Sequence, residues 1–165
     1  MAIPRRMLVP VDFTEGSLAA LRKARELATM CGSHVHVLHV VPRNDAATPP
    51  MDVFGGDLGT VCDATSFGEL DRLATLIARE RLDPFTTTGV VRRGRAGEQI
   101  ARYAREIDAS LIVMGLHGDA VGMPPSVGQV NETVIGSVRC PVLAIPAERV
   151  ATTAQREGAK QAAYH

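Results

Sequence analysis

The sequence has no excess of charge of either sign. Eighteen basic residues balance eighteen acidic ones, for a formal net charge of +0. Without a positive field there is little to draw in a nucleic acid or an anionic membrane surface, so neither is expected as a partner. Long apolar runs are missing too: nothing approaches the roughly 20 residues that cross a bilayer. The stretch after Arg5-Arg6 is interrupted by Pro10 and Asp12, too soon for a signal peptide. A cytoplasmic location is expected. Cysteine is sparse: Cys31, Cys62 and Cys140 are odd in number and far apart, with no Cys-x-x-Cys pair for zinc or disulfide exchange. They read as free thiols, Cys31 and Cys140 as packing residues and Cys62, in a polar stretch, as the one candidate for redox sensing. Neither a Gly-x-x-x-x-Gly-Lys-Ser/Thr loop nor a Ser-Gly-Gly loop after the first strand is present, and no carboxylate pair adjoins the glycine-rich loop to hold Mg²⁺. Phosphoryl transfer needs a metal site and a positioned nucleophile, so an enzyme is not expected.

What is there suits one folded domain. The chain has 165 residues, 45% of them hydrophobic and 22% charged, which is ordinary for a globular protein and too apolar for disorder. Met7 to Asp12 is a short apolar run of strand length that ends at a polar residue, and the segment from about Ser17 to Cys31 carries Leu21, Ala24, Leu27, Ala28 and Cys31 on one helical side. Gly32 stops that helix and His34 to Val41 reads as a second strand. Pro42 to about Thr65 has no sustained period and holds Pro49-Pro50, Gly55-Gly56 and Gly59, so it reads as a long mobile loop. Ser66 with Glu69 forms a capping-box pattern ahead of a helix with Leu70, Leu73, Ala74 and Ile77 in its stripe, ended by Asp83-Pro84. Thr86 to Arg92 is a third strand, followed by a helix carrying Ile100, Tyr103, Ala104 and Ile107. Leu111 to Met114 is a fourth strand, apolar throughout as a strand covered on both faces should be. A glycine-punctuated loop leads to a short helix near Val130 to Ser137, and Pro141 to Pro146 is the fifth strand. Regular alternation of strand and helix argues for an α/β, doubly wound, five-stranded parallel sheet with helices on both faces. Residues 1–146 form the domain, and 147–165 read as a polar tail.

In such a sheet, ligands bind beyond the carboxyl ends of the strands, near the reversal of strand order. Asp12, Val40 and Gly115 stand at such ends. Two residues separate Gly115 from Gly118, nine separate Gly118 from Gly128, and Gly128 opens a helix. Glycines let backbone N–H groups approach phosphate oxygens, and a helix N-terminus adds unpaired donors; a mobile connection is the plain alternative. Asp12 suits either a ligand contact or the start of a helix. His34 and His36 share one strand face while His39 points the other way, with no acidic partner repeating nearby in the sequence, which favours structural histidines over a metal site. His117, inside the glycine loop, is in reach of a phosphate or plays a conformational part. Arg92, Arg93 and Arg95 read as a solvated basic turn.

The segments Val9-Pro-Val-Asp12-Phe-Thr-Glu-Gly-Ser17, Leu38-His-Val40-Val, Leu111-Ile-Val-Met-Gly115-Leu-His-Gly118 and Cys140-Pro-Val-Leu143 together resemble the universal stress protein family, in order and spacing, from about Arg5 to Pro146. The resemblance implies an adenine nucleotide alpha hydrolase-like α/β fold and a regulatory, ATP-binding dimer of the stress response. It implies that Asp12, beside Pro10 and Val11, contacts the adenosine part, that the Val40 backbone reads the adenine edge and that Met114 lines its pocket. Gly115, His117, Gly118, Gly128, Gln129 and Val130 would then surround ribose and phosphates. ATP or another adenine nucleotide is the implied cofactor, with Mg²⁺ only alongside it. The implied partner is a second copy through the fifth strand, Val142 to Ile145, besides a protein partner that the sequence does not name. Gln129 stands where ATP-binding members carry Ser or Thr, Asp119 where many carry Arg, and Pro124-Pro125 stiffens the loop. The alternative is a dimeric scaffold that has lost tight nucleotide binding.

Overall fold

The structure, a computed structural model, is described here for residues 3–42, 64–116 and 128–146. Nine elements follow one another as β1 (Arg6–Val11), α1 (Glu15–Cys31), β2 (His34–Val41), α2 (Ala64–Arg79), β3 (Thr87–Arg93), α3 (Ala96–Glu106), β4 (Leu111–Leu116), α4 (Gln129–Ser137) and β5 (Val142–Pro146). The five strands form one parallel sheet in the order β3-β2-β1-β4-β5. β1 is central, with Met7 opposite Val35 on one side and Leu111 on the other. The expected doubly wound sheet is what the chain forms.

Alternation along the strands divides the core. Val9, Val11, Val35, Val37 and Val113 face one way and pack on Leu21 and Ala24 of α1 and Leu73 and Leu76 of α2. Leu8, Leu38, Ile112 and Met114 face the other way, onto Ile100, Tyr103 and Ala104 of α3 and Val134 of α4. Side chains two residues apart share a face, so each strand feeds both cores, which is why β4 reads as a continuous apolar run.

Three boundaries differ from the sequence reading, each for a local reason. α1 begins at Glu15, because Thr14 is its N-cap and accepts from the Ser17 N–H. α2 begins at Ala64, so Ser66 lies inside the helix and Glu69 turns to His39 and Arg72 instead of closing a capping box. α2 also stops at Arg79, ahead of Asp83-Pro84, as Arg81 takes a left-handed φ of 54° and the Leu82 N–H folds back to the Ile77 carbonyl. The expected mobile loop falls largely on 43–63, outside the described residues, as do Cys62 and the tail 147–165. Among the described residues no helix is long and apolar enough to cross a membrane.

Candidate functional site

The chain leaves β1 toward β2 and returns on the other flank as β4, so the connections after these two strands diverge and a crevice opens above their carboxyl ends. A cavity of about 100 Å³ lies there. Of the residues expected at a ligand, Pro10, Val11, Asp12, Val40, Met114, Gly115 and Val130 line it. Gly128 and Gln129 do not: Gly128 is the N-cap of α4 and Gln129, its first residue, is exposed. His117 and Gly118, with Asp119 and Pro124-Pro125, lie outside the described residues.

The Asp12 corner is built by the start of α1. The Asp12 carboxylate accepts from the Thr14 N–H at 3.1 Å and the Thr14 hydroxyl at 2.6 Å, while the Asp12 N–H donates to Ser17 Oγ at 3.3 Å. Ser17 Oγ in turn donates to the Thr14 carbonyl at 3.0 Å. Between Asp12 and Thr14 the chain turns through Phe13 at a left-handed φ of 63°, an uncommon conformation for an aromatic residue. Phe13 is held from outside: its ring sits 4.7 Å from the His39 ring, and the Arg72 guanidinium lies 3.9 Å from its centroid. Asp12 thus shapes the turn into α1 and also sits at the cleft wall.

Gly115 has a structural reason to be glycine that its loop spacing did not reveal. It belongs to β4, and a Cβ there would stand 2.3 Å from the Gly16 carbonyl carbon and 2.7 Å from the Ser17 nitrogen. The first turn of α1 therefore packs directly on the β4 backbone, and the floor of the cleft is where they meet.

On the far wall, α4 starts at Gly128, and its first-turn N–H groups have no side-chain cap among the described residues. The helix dipole adds a partial positive charge at that end. Asn131, in this first turn, is only 5% exposed and donates from Nδ2 to the Gly115 carbonyl at 3.1 Å. The near wall is the end of β2. His34 N–H bonds back to Arg5 while Val41 accepts from Gly94, so even-numbered residues of β2 direct their backbone groups toward β1. Since β1 pairs with β2 only as far as Val11, opposite His39, Val40 carries its carbonyl past the end of that strand. A backbone acceptor is thereby left at the cleft edge, where an adenine-reading group was expected.

Leu38, Ile100 and Ala96 complete the apolar wall, and with Thr14, Gly16, Ser17, Leu116 and Asn131 they are cleft residues that the sequence reading did not assign. Ile100 had a signal as a helix-stripe residue, but a stripe shows only that a residue is covered. Asn131 had none, since its role follows from α4 lying against β4.

The three described histidines, His34, His36 and His39, do not line the cleft. His34 Nε2 lies 2.8 Å from Thr88 Oγ1 and His36 Nδ1 lies 3.0 Å from the Tyr103 hydroxyl. Burial, followed by the nearby His34 and Arg6, holds the His36 pKa below its ordinary value. His39 donates from Nδ1 to the Val11 carbonyl at 2.8 Å and turns Nε2 to Glu69 at 3.6 Å, an acidic neighbour from α2 that strand periodicity could not show. Among the described residues, no group of three or more His, Cys, Asp or Glu is placed to hold a metal ion. Arg92 is no solvated turn residue: it pairs with Glu106, with Nη1 3.0 Å from Oε1, and lies 4.5 Å from the Tyr103 ring centroid. Its hydrogen bond holds the Glu106 carboxyl below the usual range. Burial raises the Cys140 thiol, as suits a packing residue.

Comparison with known proteins places this geometry. Universal stress protein G of Shigella flexneri is 27% identical over 143 residues, covering 86% of this chain and 98% of the relative. The crystal structure of a universal stress protein family member from Burkholderia pseudomallei superposes with a TM-score of 0.60 at 30% identity, over 89% of this chain and 99% of that one. That of the Archaeoglobus fulgidus universal stress protein in complex with dAMP gives 0.58 at 23% identity, over 87% and 99%. The model of the Universal stress protein family matches residues 4–146, from just before β1 to the end of β5, and the chain belongs to that family.

Proposed function

We propose that this protein is an adenine-nucleotide-binding regulator of the stress response, acting in the cytoplasm as a homodimer and not as an enzyme. The carrying observation is the cleft at the β1/β4 divergence. It joins an apolar slot, formed by Leu38, Val40, Ile100 and Met114, to polar groups at its rim: the oriented Asp12 carboxylate, the Val40 carbonyl and the uncapped start of α4. A flat heteroaromatic base suits the slot, while a sugar and an anion suit the rim. The dAMP complex of the Archaeoglobus relative supports the same ligand class. Asp12 is the cleft's own carboxylate, and any Mg²⁺ would arrive with the phosphates it neutralises.

Binding at this place couples naturally to a surface. The Asp12 turn is continuous with Phe13, which packs at a tilt against the His39 ring and is covered by Arg72 of α2. Ligand contact at Asp12 therefore bears on an outward-facing helix, where a protein partner reads it. The dimer is assigned to β5, the sheet edge beyond β4, where Leu143 is 37% exposed and Ile135 of the neighbouring α4 is 52% exposed. An unpaired edge with apolar side chains recruits another strand.

The deciding experiment is to denature freshly purified protein and assay the released small molecules, then to titrate the refolded protein with ATP, ADP and AMP. Intact ATP or AMP supports the regulator. Released hydrolysis product with multiple turnover on added ATP argues for an enzyme, and failure of all three to bind at millimolar concentration leaves the scaffold.

A further inference from the structure

Among the described residues, Glu69 Oε2 is a buried side-chain oxygen with no hydrogen-bond partner. It lies on α2, 3.6 Å from Nε2 of His39 on β2, and the two side chains are only 26% and 12% exposed. The tautomer of His39 follows from its other nitrogen. A carbonyl can only accept, so the 2.8 Å contact with the Val11 oxygen puts a proton on Nδ1. In the neutral imidazole Nε2 is then a lone pair facing a carboxylate oxygen, acceptor against acceptor. The gap of 3.6 Å, beyond the roughly 2.7–3.2 Å of a hydrogen bond, is what such a pair should show. A buried oxygen without a donor is costly, and this one is a single proton short.

Histidine is the side chain that takes up a proton between about pH 8 and 5. On Nε2 that proton makes a cationic donor aimed at the orphaned oxygen, and a charge-assisted bond of about 2.8 Å would close the gap by about 0.8 Å. His39 is tied to Val11 at its other end, so the movement falls to the Glu69 turn of α2. Arg72, one turn further along, covers the Phe13 ring and rides with that turn; its Nη1 is 3.8 Å from Oε2, too far to satisfy it. The other charged groups facing the pair are Asp71 on α2, Asp12 and Glu15 on either side of Phe13, and Arg93, on the His39 face of β3 two residues past Val91. Arg22 and Arg79, elsewhere in the groove between α1 and α2, pair with Glu80. Carboxylates thus outnumber guanidinium groups around His39, and the incoming positive charge meets a negative surrounding. Phe13 gives the contact its reach, because its left-handed backbone, at φ 63°, persists only while its ring is held between His39 and Arg72. We infer that His39 and Glu69 form a proton-operated clasp between β2 and α2, which on closing holds Phe13 and with it the adjoining Asp12 turn.

The test is a double-mutant cycle on the full chain with His39→Asn and Glu69→Ala, read by denaturant unfolding at pH 8 and pH 6. Asparagine keeps a donor for the Val11 carbonyl while removing Nε2, and any contribution from His36 cancels around the cycle. The two residues should be uncoupled within about twofold at pH 8 and coupled by about tenfold in the unfolding constant at pH 6. This stabilisation is present at low pH and lost as pH rises, because the closed clasp binds a proton that the open one lacks. Glu69→Gln offers Nε2 a neutral donor, so it should couple to His39 at pH 8 already. Protection of the Thr14 amide, which the Asp12 carboxylate accepts from, should rise severalfold from pH 8 to pH 6 in the wild type and not in Glu69→Ala. Equal coupling at the two pH values overturns the clasp, and Thr14 protection indifferent to pH overturns its link to the Asp12 turn. Nitrogen–proton NMR of the wild-type imidazoles needs no variant to fold: at pH 8 it should show the His39 proton on Nδ1, and a proton on Nε2 overturns the inference outright.

Discussion

The contact between α1 and β4 makes a quantitative prediction. In Gly115→Ala the new methyl carbon would lie 2.3 Å from the Gly16 carbonyl carbon, 2.4 Å from its oxygen and 2.7 Å from the Ser17 nitrogen. All three are backbone atoms, so no side chain can swing aside. Relief to ordinary carbon contact near 3.5 Å needs the first turn of α1 to withdraw by about 1 Å. That turn is anchored by buried Leu18, Ala20 and Leu21, and withdrawing it loosens packing on the sheet. Overpacking of this kind costs about 3 kcal/mol, at the upper end of the usual range, which for a domain of this size lowers Tm by about 6–12 °C. Gly16→Ala, whose Cβ would have one close contact, the Leu116 carbonyl oxygen at 2.8 Å, should cost less. Gly136→Ala is the internal control: it lies within α4, a Cβ there meets nothing within 4 Å, and alanine should raise stability by about 0.5–1 kcal/mol. Thermal unfolding followed by circular dichroism gives the order Gly136→Ala, wild type, Gly16→Ala, Gly115→Ala from most to least stable. A Gly115→Ala protein melting within about 2 °C of wild type would refute the packing argument.

Three further expectations follow from other parts of the molecule. His36 has a folded pKa below its ordinary 6.5, so the native state holds fewer protons than the unfolded chain; its contribution is complete above that value and is lost as pH falls through the lowered one. Denaturant unfolding at pH 7.5 and 5.5 should therefore show a smaller loss for His36→Gln than for wild type, and equal losses would remove His36 as the cause. Leu143→Lys places a charge on the exposed edge of β5 and should halve the mass seen by light scattering; a wild type that is already monomeric sinks the β5 dimer. Gln129→Ser, at the exposed first position of α4, restores a small hydroxyl near the phosphates and should tighten ATP about tenfold while leaving AMP little changed. A wild type preferring ATP by orders of magnitude would show that the hydroxyl is dispensable.

The strands and the faces of α1 and α3 were legible because burial imposes a period on them: Leu21 and Ala24, or Ile100 and Ala104, recur at helical spacing and meet the sheet. The positions of Asp12, Val40 and Met114 at the cleft were legible from strand-end position together with the family resemblance. Those of Asn131 and Ser17 were not, since an isolated polar residue in a helix looks alike whether it faces solvent or a crevice. The reason for Gly115 was hidden similarly: its clash partners, Gly16 and Ser17, are distant in sequence, and spacing within the loop carries no trace of them. Arg92 was misread because a run of arginines suggests solvent until Glu106 and Tyr103 are brought beneath it.

The central place of β1 has a consequence for how the protein is made. During synthesis β1 can pair with β2 almost at once, but its other flank waits for β4, as in the bond between Arg6 and Ser110, which are 104 residues apart. Until β4 arrives, the first turn of α1 has no Gly115 to rest on, and the cleft lacks its floor and its α4 wall. Closing so distant a contact is entropically slow, so the binding site is among the last things the nascent chain assembles. Under the proposed function, a nucleotide then cannot serve as an early template for folding, because β4 and α4 must be in place before the cleft exists. Ribosome-stalled fragments ending before β4 should thus lack the cleft floor and its α4 wall.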